Sequence, residues 1–418
     1  MSGKQLRIVL SGMLVLMLTE VAHAQLPWSE ETHDIAFGDF NGDGKTDLLY
    51  VAKSSGANSG IALSNNAGPY NIAQTWASNY LGIAWHSSTY KPIVGDFNGD
   101  AKADVLLQRQ SQGDHYVLLA NSAGQLTAIN QTVPFNQGGH IWSADGHRIV
   151  AGDFNGDART DLFLQSMQST GLNAVFLASA SGTFGSAQQT WSNVHIGFKW
   201  SVQNAVVHAG DFNGDGKADL FVQAKPDIAL IDYEVPFPVP VYPPGRFGIA
   251  NAKAANGNGE VFYTPALQIW DRRYQGVDWS AANYNAIVGD FNGDGRADIL
   301  LQGRRAGMTN SEFVVSSGGQ VTSGNVLSDP VLLTATADQF RLYAGNFDGT
   351  SGTGVYLQAV TSGGTSSVAW NSTVGSWNER YEYDALGRLR KVTFSNGAVT
   401  NYTLDKAGNR TNVSTSGQ

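Results

Sequence analysis

The stretch Gly38-Asp39-Phe40-Asn41-Gly42-Asp43-Gly44-Lys45-Thr46-Asp47 occurs five times, with few changes, in this chain of 418 residues. The acidic loops of the five copies begin at Asp39, Asp96, Asp153, Asp211 and Asp290. Each loop places side-chain oxygens at positions 1, 3, 5 and 9. Three carboxylates and one amide within nine residues repel one another unless a cation lies among them. Ca²⁺, which takes six to eight oxygen ligands, fits this donor set.

Two further positions of the loop support a cation site. Position 6 must turn sharply and is glycine in three copies, and position 7 can then offer its backbone carbonyl. We expect the basic side chains at position 7 to point to solvent. The predicted metal ligands are Asp39, Asn41, Asp43, Lys45, Asp47; Asp96, Asn98, Asp100, Lys102, Asp104; Asp153, Asn155, Asp157, Arg159, Asp161; Asp211, Asn213, Asp215, Lys217, Asp219; and Asp290, Asn292, Asp294, Arg296, Asp298.

The copies are not equivalent. Ala101 and Ala158 stand at position 6 of the second and third loops, where a left-handed backbone costs a non-glycine residue about 1–2 kcal/mol. We expect these two loops to bind Ca²⁺ more weakly. A sixth copy begins at Asn346 and retains one carboxylate, with Asp348, Thr350 and Gly354 at the other ligand positions. We expect no metal there.

The loop is not an EF-hand, because position 12, where that loop carries Glu, is Tyr50 or an aliphatic residue in this chain. Strand-like sequences flank each loop, so the loop forms the tip of a β-hairpin. From about residue 28 to 375 the pattern resembles the calcium-binding repeats of the FG-GAP/VCBS family, which also form the propellers of integrin α-chains. The resemblance implies a β-propeller whose loops bind calcium.

The spacing of the loops also predicts a propeller. Successive loops are 57, 57, 58, 79 and 56 residues apart, and fixed periods of this size indicate repeat architectures. Within one period we predict four strands, at 91–95, 104–109, 115–120 and 125–133, which make one propeller blade. The fold class is therefore all-β, with six registers and six or seven four-stranded blades, since the family commonly has seven. The last blade could take a strand from 25–37 or from 376–384.

Two other residue types recur with the loops. Tryptophan stands eleven residues before each of the five loops (Trp28, Trp85, Trp142, Trp200 and Trp279), and three of these follow a second one (Trp76, Trp191 and Trp270). We expect these rings to pack between blades, with stacking on sugars as the alternative. A glutamine four residues after position 9 (Gln108, Gln165, Gln223, Gln302 and Gln358) is expected to hydrogen-bond the backbone of a neighbouring blade.

Composition and the amino terminus indicate export. Residues 1–24 contain Lys4, Arg7, an apolar run and a small-residue cleavage site, as in a secretory signal peptide. We expect a secreted, periplasmic or cell-surface protein that begins at Gln25 and has no membrane span after cleavage. The chain has no cysteine, so metal and core packing replace disulfides. Its net charge of −9, with no basic patch in the sequence pattern, argues against nucleic acid as a partner.

Two segments depart from the repeat. An insertion of about 21 residues relative to the repeat lies around 226–265, with six of the twelve prolines between Pro226 and Pro244. It is expected to leave the propeller (25–378) as an extended loop that could meet a partner. In the tail, 379–418, Tyr381-Glu-Tyr-Asp384 recurs as Tyr402-Thr-Leu-Asp405 around an Asn396-Gly397 turn. This tail resembles the YD repeats of the Rhs family, in which long arrays build a hollow shell around a toxin.

No stretch of the sequence carries a catalytic motif, and repeated carboxylates are poor catalytic candidates because an active site normally occurs once. We therefore expect a non-catalytic binding or adhesion module for a glycan or a cell-surface protein. One alternative is an amino-terminal or remnant component of an Rhs-like toxin or secretion system. A second alternative is a hydrolase built on a propeller.

Overall fold

A computed structural model gives the fold. It describes residues 32–65, 68–225, 246–253, 260–262, 264, 266–316, 318–325, 330–347, 353–360, 367–369, 379–383, 389–394, 399–404 and 410–416. Nearly all of the regular structure within these ranges is β-strand, as predicted. The exception is one helix of five residues, Pro330–Thr334.

The first half of the described chain holds three four-stranded blades with short two-stranded ribbons between them. In chain order these strands are β1 (His33–Gly38), β2 (Asp47–Ala52), β3 (Ser59–Asn65), β4 (Gly68–Trp76), β5 (Asn79–Tyr80), β6 (Ile83–Ala84), β7 (Tyr90–Gly95), β8 (Asp104–Arg109), β9 (His115–Ala120), β10 (Leu126–Val133), β11 (Asn136–Gln137), β12 (His140–Ile141), β13 (His147–Gly152), β14 (Asp161–Ser166), β15 (Asn173–Phe176), β16 (Gln189–Trp191), β17 (Val194–His195) and β18 (Phe198–Lys199). The four strands of the second blade agree with the prediction to within one residue at each end.

The second half holds two more blades and one larger sheet. Its elements are β19 (Ala205–Gly210), β20 (Asp219–Ala224), β21 (Phe247–Ala250), β22 (Gln268–Trp270), β23 (Arg273–Tyr274), β24 (Val277–Asp278), β25 (Tyr284–Gly289), β26 (Asp298–Gly303), β27 (Ser311–Val315), β28 (Val321–Asn325), α1 (Pro330–Thr334), β29 (Phe340–Gly345), β30 (Gly354–Ala359), β31 (Ser367–Ala369), β32 (Glu379–Tyr383), β33 (Leu389–Phe394), β34 (Val399–Leu404) and β35 (Arg410–Ser416).

Consecutive strands pair antiparallel within each sheet. The blades β1–β4, β7–β10, β13–β16, β19–β22 and β25–β28 have four strands each, and β29–β35 form one sheet of seven. The molecule is an all-β propeller, but the expected count of six or seven four-stranded blades is not what the described residues show. They contain five such blades, and the sixth register opens the seven-stranded sheet.

The first strand of each sheet, which we call the inner strand, contacts the inner strand of the next sheet, and β29 contacts β1. Backbone hydrogen bonds of 2.5–2.9 Å connect the same neighbouring sheets. Each bond runs from the amide of loop position 8 to the carbonyl of position 1 in the preceding loop. The six donor and acceptor pairs are Ala103 and Asp39, Thr160 and Asp96, Ala218 and Asp153, Ala297 and Asp211, Thr353 and Asp290, and Thr46 and Asn346. The last pair joins the beginning of the ring to its end.

A glycine ends every inner strand because the next blade approaches it closely. A Cβ added at Gly95 would lie 2.4 Å from Thr160 Cγ2, and one at Gly345 would lie 2.9 Å from Thr46 Cγ2. Real Cβ atoms do not come this close to other heavy atoms. The glycine that precedes each acidic loop therefore sets the spacing between neighbouring blades.

The hydrophobic core lies between the blades rather than in one central mass. The Phe at loop position 2 turns inward in every copy, as at Phe40 and Phe154, which are fully buried. The ring closes with Phe37 packed against Tyr343, with 4.9 Å between the ring centroids. Each blade therefore gains its stability from both neighbours.

The recurrent tryptophans pack in this core, as predicted. Trp85, Trp142, Trp200 and Trp279 are fully buried, and Trp76, Trp191 and Trp270 are at most 5% exposed. In three blades the two rings of a pair meet edge to face, with centroids 4.7–5.4 Å apart. This burial removes these seven rings as platforms for sugars, and Trp28 lies outside the described residues.

The recurrent glutamines bridge neighbouring blades, which confirms the prediction for four of the five. Gln165 Nε2 donates to the carbonyls of Trp200 at 2.7 Å and Ala205 at 3.0 Å. Gln108, Gln223 and Gln302 donate to the corresponding pairs of carbonyls in the next blade. Gln358 instead accepts a hydrogen bond from Tyr343 in its own sheet.

The tail continues the sixth sheet. The short strand β31 pairs with β32 through Ser367 and Glu382, and β32–β35 follow as an antiparallel meander. The sixth sheet thus takes its fourth strand from 376–384, one of the two sources that the sequence suggested. The predicted boundary at 378 falls between two paired strands, and the Asn396-Gly397 turn lies outside the described residues.

The interval 226–265, in which the sequence places an insertion of about 21 residues, also contains part of the fourth blade. Strand β21 lies within it and pairs with β20 and β22. Val261 and Phe262 are fully buried in the core between the third and fourth blades. The spacing of the loops could not show that the chain returns to the blade inside the insertion. Residues 226–245, which hold the prolines Pro226 to Pro244, lie outside the described residues, as does the predicted signal peptide.

Candidate metal centre

The five acidic loops connect the inner strand to the second strand in each four-stranded blade, so they lie together at one end of the ring. The register Gly95 opposite Asp104 places the second loop at a hairpin tip, as predicted, and the other four loops have the same pairing. The hydrogen bonds between positions 8 and 1 link each loop to the next. The candidate site is therefore a ring of five loops that carry the same oxygen donors.

The first carboxylate of each loop organises its backbone. In the first loop, Asp39 Oδ1 accepts from the amides of Gly42 at 2.7 Å and Asp43 at 3.1 Å, and Oδ2 accepts from Gly44 at 2.7 Å. Position 6 is left-handed, with φ near +81° in the glycine copies. The alanines take the same conformation, with φ of +63° at Ala101 and +65° at Ala158. The sharp turn at position 6 is confirmed, and these two copies carry its steric cost.

The carboxylate at position 9 is fully buried in all five copies. Asp47 Oδ2 accepts from the Phe40 amide at 2.9 Å, and Oδ1 accepts from the Ser64 amide at 2.8 Å. In the fifth loop Asp298 Oδ1 likewise accepts from the Val315 amide. Its Oδ2 differs, because this atom is buried and has no hydrogen-bond partner in the described part of the chain. A buried carboxylate oxygen that has no hydrogen-bond partner is able to serve as a ligand to a cation.

Burial is the main cause of an unusual acidity at position 9. It raises the pKa of Asp47, Asp104, Asp161 and Asp298 to about 7 and that of Asp219 to about 8. The carboxylates at positions 1 and 5 raise these pKa values further, and backbone hydrogen bonds oppose the rise. A bound cation would remove this electrostatic penalty.

The basic side chain at position 7 does not point to solvent, contrary to the expectation. Lys45 Nζ lies 3.0 Å from Asp43 Oδ2, and Lys102 Nζ lies 2.6 Å from Asp100 Oδ2. The third, fourth and fifth loops form the same ion pair. The side chain stays close because its stem lies against the position-4 glycine of the preceding loop, as Arg159 Cγ does beside Gly99. Sequence spacing within one loop could not show this contact between loops.

The amide at position 3 helps to shape four of the loops. Asn41 Oδ1 accepts from the Asp43 amide at 2.9 Å, and Asn98, Asn155 and Asn292 make the equivalent hydrogen bond. In the fourth loop Asn213 instead donates to Asn251 and to Asp219 Oδ2. Asn251 follows β21, so the long interval before the fifth loop changes the neighbourhood of the fourth loop.

The donor set suits a hard cation, because every candidate ligand is an oxygen. The side chains are nevertheless held by backbone amides and by the basic residue at position 7. Across the residues that the structure describes, no three His, Cys, Asp or Glu side chains are arranged to hold a metal ion. Coordination of an ion by positions 1, 5 and 9 would require the position-5 carboxylate to leave its Lys or Arg.

The sixth copy serves ring closure. Asn346 donates from Nδ2 to the Gly44 carbonyl at 3.1 Å and from its amide to Thr46 Oγ1 at 2.8 Å. Gly354 begins β30 opposite Gly345. Asp348 and Thr350 lie outside the described residues.

Among the residues that the structure describes, no helix has both the length and the apolar character of a membrane span. Positively charged residues, which the sequence analysis did not single out, stand five residues before the second and third loops. Alignment of the repeats on the loops would have revealed Lys91 and Arg148 at this position.

Comparison with known proteins identifies the repeats. The FG-GAP-like repeat matches residues 39–107, 96–164 and 153–222, and the RHS repeat matches residues 383–418. No curated protein matches the chain.

Solved structures resemble this chain at low sequence identity, and the first of them shares its fold. A lectin from Agrocybe aegerita that recognises non-reducing terminal N-acetylglucosamine is 16% identical, with a TM-score of 0.54 over 88% of this chain and 81% of the lectin. The Tc holotoxin pore of Photorhabdus luminescens is 14% identical, with a TM-score of 0.48 over 89% of this chain and 16% of that chain. A putative 6-phosphogluconolactonase from Bacteroides fragilis is 14% identical, with a TM-score of 0.42 over 83% of this chain and 80% of that chain.

The repeat pattern, the propeller geometry and the family matches agree with one another. The chain therefore contains three FG-GAP-like repeats within residues 39–222 and an RHS repeat at residues 383–418.

Proposed function

We propose that this protein is a secreted, calcium-stabilised propeller that binds a glycan or a protein partner and catalyses no reaction. The observation that carries the proposal is the ring of five loops, which present the same oxygen donors at the same end of five blades. Side-chain oxygens at positions 1, 3, 5 and 9, with the carbonyl at position 7, would hold Ca²⁺ in each loop. The repetition of the carboxylates argues for a structural role over a catalytic one.

Calcium would act on the rigidity of the ring. Each ion would neutralise one buried position-9 carboxylate and displace the basic side chain from position 5. Because each loop is hydrogen-bonded to its neighbours, ions in several loops would stiffen the whole end of the propeller. Extracellular calcium modules bind at about 0.1–1 mM, so occupancy would depend on export.

A calcium titration followed by thermal unfolding tests the metal. We expect chelation to lower the melting temperature by several degrees, because only the ion-bound loops relieve the buried charge. Addition of Ca²⁺, but not of Mg²⁺, should restore the melting temperature. Calorimetry should resolve three tighter sites and two weaker sites, the latter at the loops of Ala101 and Ala158. An unchanged melting temperature together with no binding heat would refute the calcium proposal.

A pair of variants tests whether the heat of Ca²⁺ binding comes from the acidic loops. Asp298→Asn should remove one site, whereas Asp278→Asn, which changes an ion pair with Arg272 outside the loops, should leave the stoichiometry unchanged.

The glycan partner is proposed from the comparison with solved structures. The lectin that shares the fold recognises a terminal sugar, and the family resemblance fits a binding module. A glycan array probed with the protein in Ca²⁺ and again in chelator tests the partner. A specific sugar signal that disappears on chelation would support a calcium-dependent lectin. No signal on any glycan would leave a protein as the partner.

One structural observation favours a second candidate, a component of an Rhs-like toxin or secretion system. The strands β32–β35 overlap the RHS repeat and continue the sixth sheet without a break, so the tail and the propeller would form one rigid unit. Neighbouring genes that encode a longer YD array or an effector would favour this candidate. Their absence, with a specific glycan signal, would favour the binding module.

A further inference from the structure

The six inner strands surround an axial cavity of about 410 Å³, lined by residues of β1, β13, β19, β25 and β29. Most of the lining side chains are apolar, such as Ile149 and Val207. The polar ones are Arg148, His208 and Tyr343. Tyr343 donates its hydroxyl hydrogen to Gln358 Oε1 at 3.2 Å. Arg148 and His208 therefore supply the distinctive chemistry of the cavity.

Positive charges collect at the end of the inner strands away from the acidic loops. The second residue of each inner strand is, in ring order, Asp34, Lys91, Arg148, Val206, Asn285 and Arg341. Lys91 and Arg148 thus lie at the same level on β7 and β13, which are in contact. Lys225, directly after β20, is also close enough that burial, and then the charge of Arg148, lower its pKa. The same two causes lower the pKa of Lys91.

Lys91, Arg148 and Lys225 make no ion pair in the described part of the chain, although the charge of Asp34 opposes the lowering of the pKa of Lys91. The one carboxylate at their level, Asp34, pairs with Lys53 at 3.2 Å. The guanidinium of Arg148 makes a long hydrogen bond, 3.4 Å, to Gln165 Oε1, and burial lowers its pKa to about 10. Deeper in the cavity, His208 Nε2 is buried and has no hydrogen-bond partner among the described residues.

We propose that the axial cavity binds a small oxyanion, a carboxylate or a phosphate group, through the guanidinium of Arg148, with Lys91 beside it and His208 Nε2 below. Uncompensated positive charge in a concave, partly apolar site attracts anions. A guanidinium presents paired donors that match the two oxygens of a carboxylate or phosphate. The volume suits a ligand of about monosaccharide size, so an acidic sugar or a phosphate would fit.

This site is independent of the calcium proposal, because it is built from the inner strands and lies away from the acidic loops. It is also unexpected from the net charge of −9, which would repel anions from most of the surface.

Calorimetric titration and thermal unfolding of the full chain at low salt, with inorganic phosphate and separately with galacturonate, test the proposal. We expect saturable binding and a rise in melting temperature with at least one of the two anions, whereas galactose and NaCl at equal ionic strength should have no effect. Binding of phosphate alone would identify a phosphate site, and binding of galacturonate alone would identify a carboxylate site.

Two variants of Arg148 and one control variant test whether the anion binds in the cavity. Arg148→Gln should weaken it at least tenfold and abolish the anion-induced rise in melting temperature, and Arg148→Lys should retain part of both. Arg272→Gln removes the same charge from an exposed side chain just before β23 and should bind as the parent does. Absence of binding by both anions, or equal weakening by Arg148→Gln and Arg272→Gln, would overturn the proposal. If Arg148→Gln fails to fold, the Arg148→Lys and Arg272→Gln pair still decides the outcome.

Discussion

At the scale of single residues, small departures from the repeat have local causes that the structure makes visible. Position 6 of the loops tolerates alanine at a steric cost, and a buried histidine replaces the polar residue that other blades use at the same place. In both cases another copy of the repeat carries the alternative residue, so the two copies can be compared within one protein.

Replacement of Ala101 by glycine should stabilise the protein by about 0.5–1 kcal/mol, because φ at this position is +63° and glycine adopts this conformation without steric cost. The gain is smaller than the full steric penalty because glycine also increases the entropy of the unfolded chain. Denaturant unfolding measures the effect. The reverse change, Gly44→Ala, should destabilise by a similar amount, since no atom lies within 4 Å of an added Cβ there and only φ matters. Equal stability of all three proteins would contradict the argument.

His115 predicts a specific acid sensitivity. Burial, and then the charge of Arg109, lower its pKa to about 4, whereas an unfolded histidine titrates near 6.5. Between pH 6.5 and 4 the unfolded state therefore binds more protons than the folded state. This contribution to stability is complete above pH 6.5 and falls by about 3 kcal/mol as the pH drops to 4.

The control for His115 is Asn. His115 Nδ1 accepts from the Arg109 amide at 2.9 Å, and Asn173 accepts the equivalent hydrogen bond from the Ser166 amide in the next blade. His115→Asn should keep the hydrogen bond and flatten this part of the curve of unfolding free energy against pH. Parallel curves for the two proteins would show that His115 does not titrate as described.

At the scale of elements, each blade is fastened to the next by the same few groups. In four of the blades the second strand carries a glutamine that donates to two carbonyls of the following blade, and each acidic loop accepts an amide hydrogen from the following loop. These bonds are buried, so each also prevents an unsatisfied polar group between the sheets.

Replacement of Gln165 by leucine should destabilise the protein by about 2–4 kcal/mol, because it leaves the carbonyls of Trp200 and Ala205 buried without their donor. Thermal or denaturant unfolding measures this loss. Gln203→Leu is the matched control, since Gln203 is exposed and contacts only another side chain, Gln168, in the described hydrogen bonds. Its effect should stay within about 0.5 kcal/mol. A small effect of Gln165→Leu would mean that water replaces the bridge.

At the scale of the whole molecule, the ring is closed and electrically polarised. Acidic loops occupy one end of the inner strands, and a cluster of Lys and Arg lies around the axis towards the other end. Closure depends on contacts between residues about 300 positions apart in the chain, such as Thr46 with Asn346. The propeller should therefore lose stability when this one junction is weakened.

Thr46→Ala should destabilise the protein by about 1 kcal/mol more than Thr160→Ala. Both residues occupy position 8, but only Thr46 accepts, through Oγ1, a hydrogen bond from the Asn346 amide among the described contacts. The comparison of the two unfolding free energies separates closure from the general role of position 8. Equal losses would show that the junction contributes no more than any other interface.

The sequence by itself determined the all-β class, the hairpin position of the loops, the strands of a blade and the packing of the tryptophans, because each is a local pattern that the repeat displays several times. It also anticipated the glutamine bridges, since a polar residue that recurs on a buried strand needs a partner.

Only the tertiary structure decided the pairing of position 7 with position 5, the strand hidden in the long fourth interval, the joining of the tail to the sixth sheet and the basic axial cavity. Each of these depends on which residues of different repeats come to lie side by side. Periodicity along the chain fixes what one blade looks like, but the distances between blades are set by the closed ring, and no local pattern contains them.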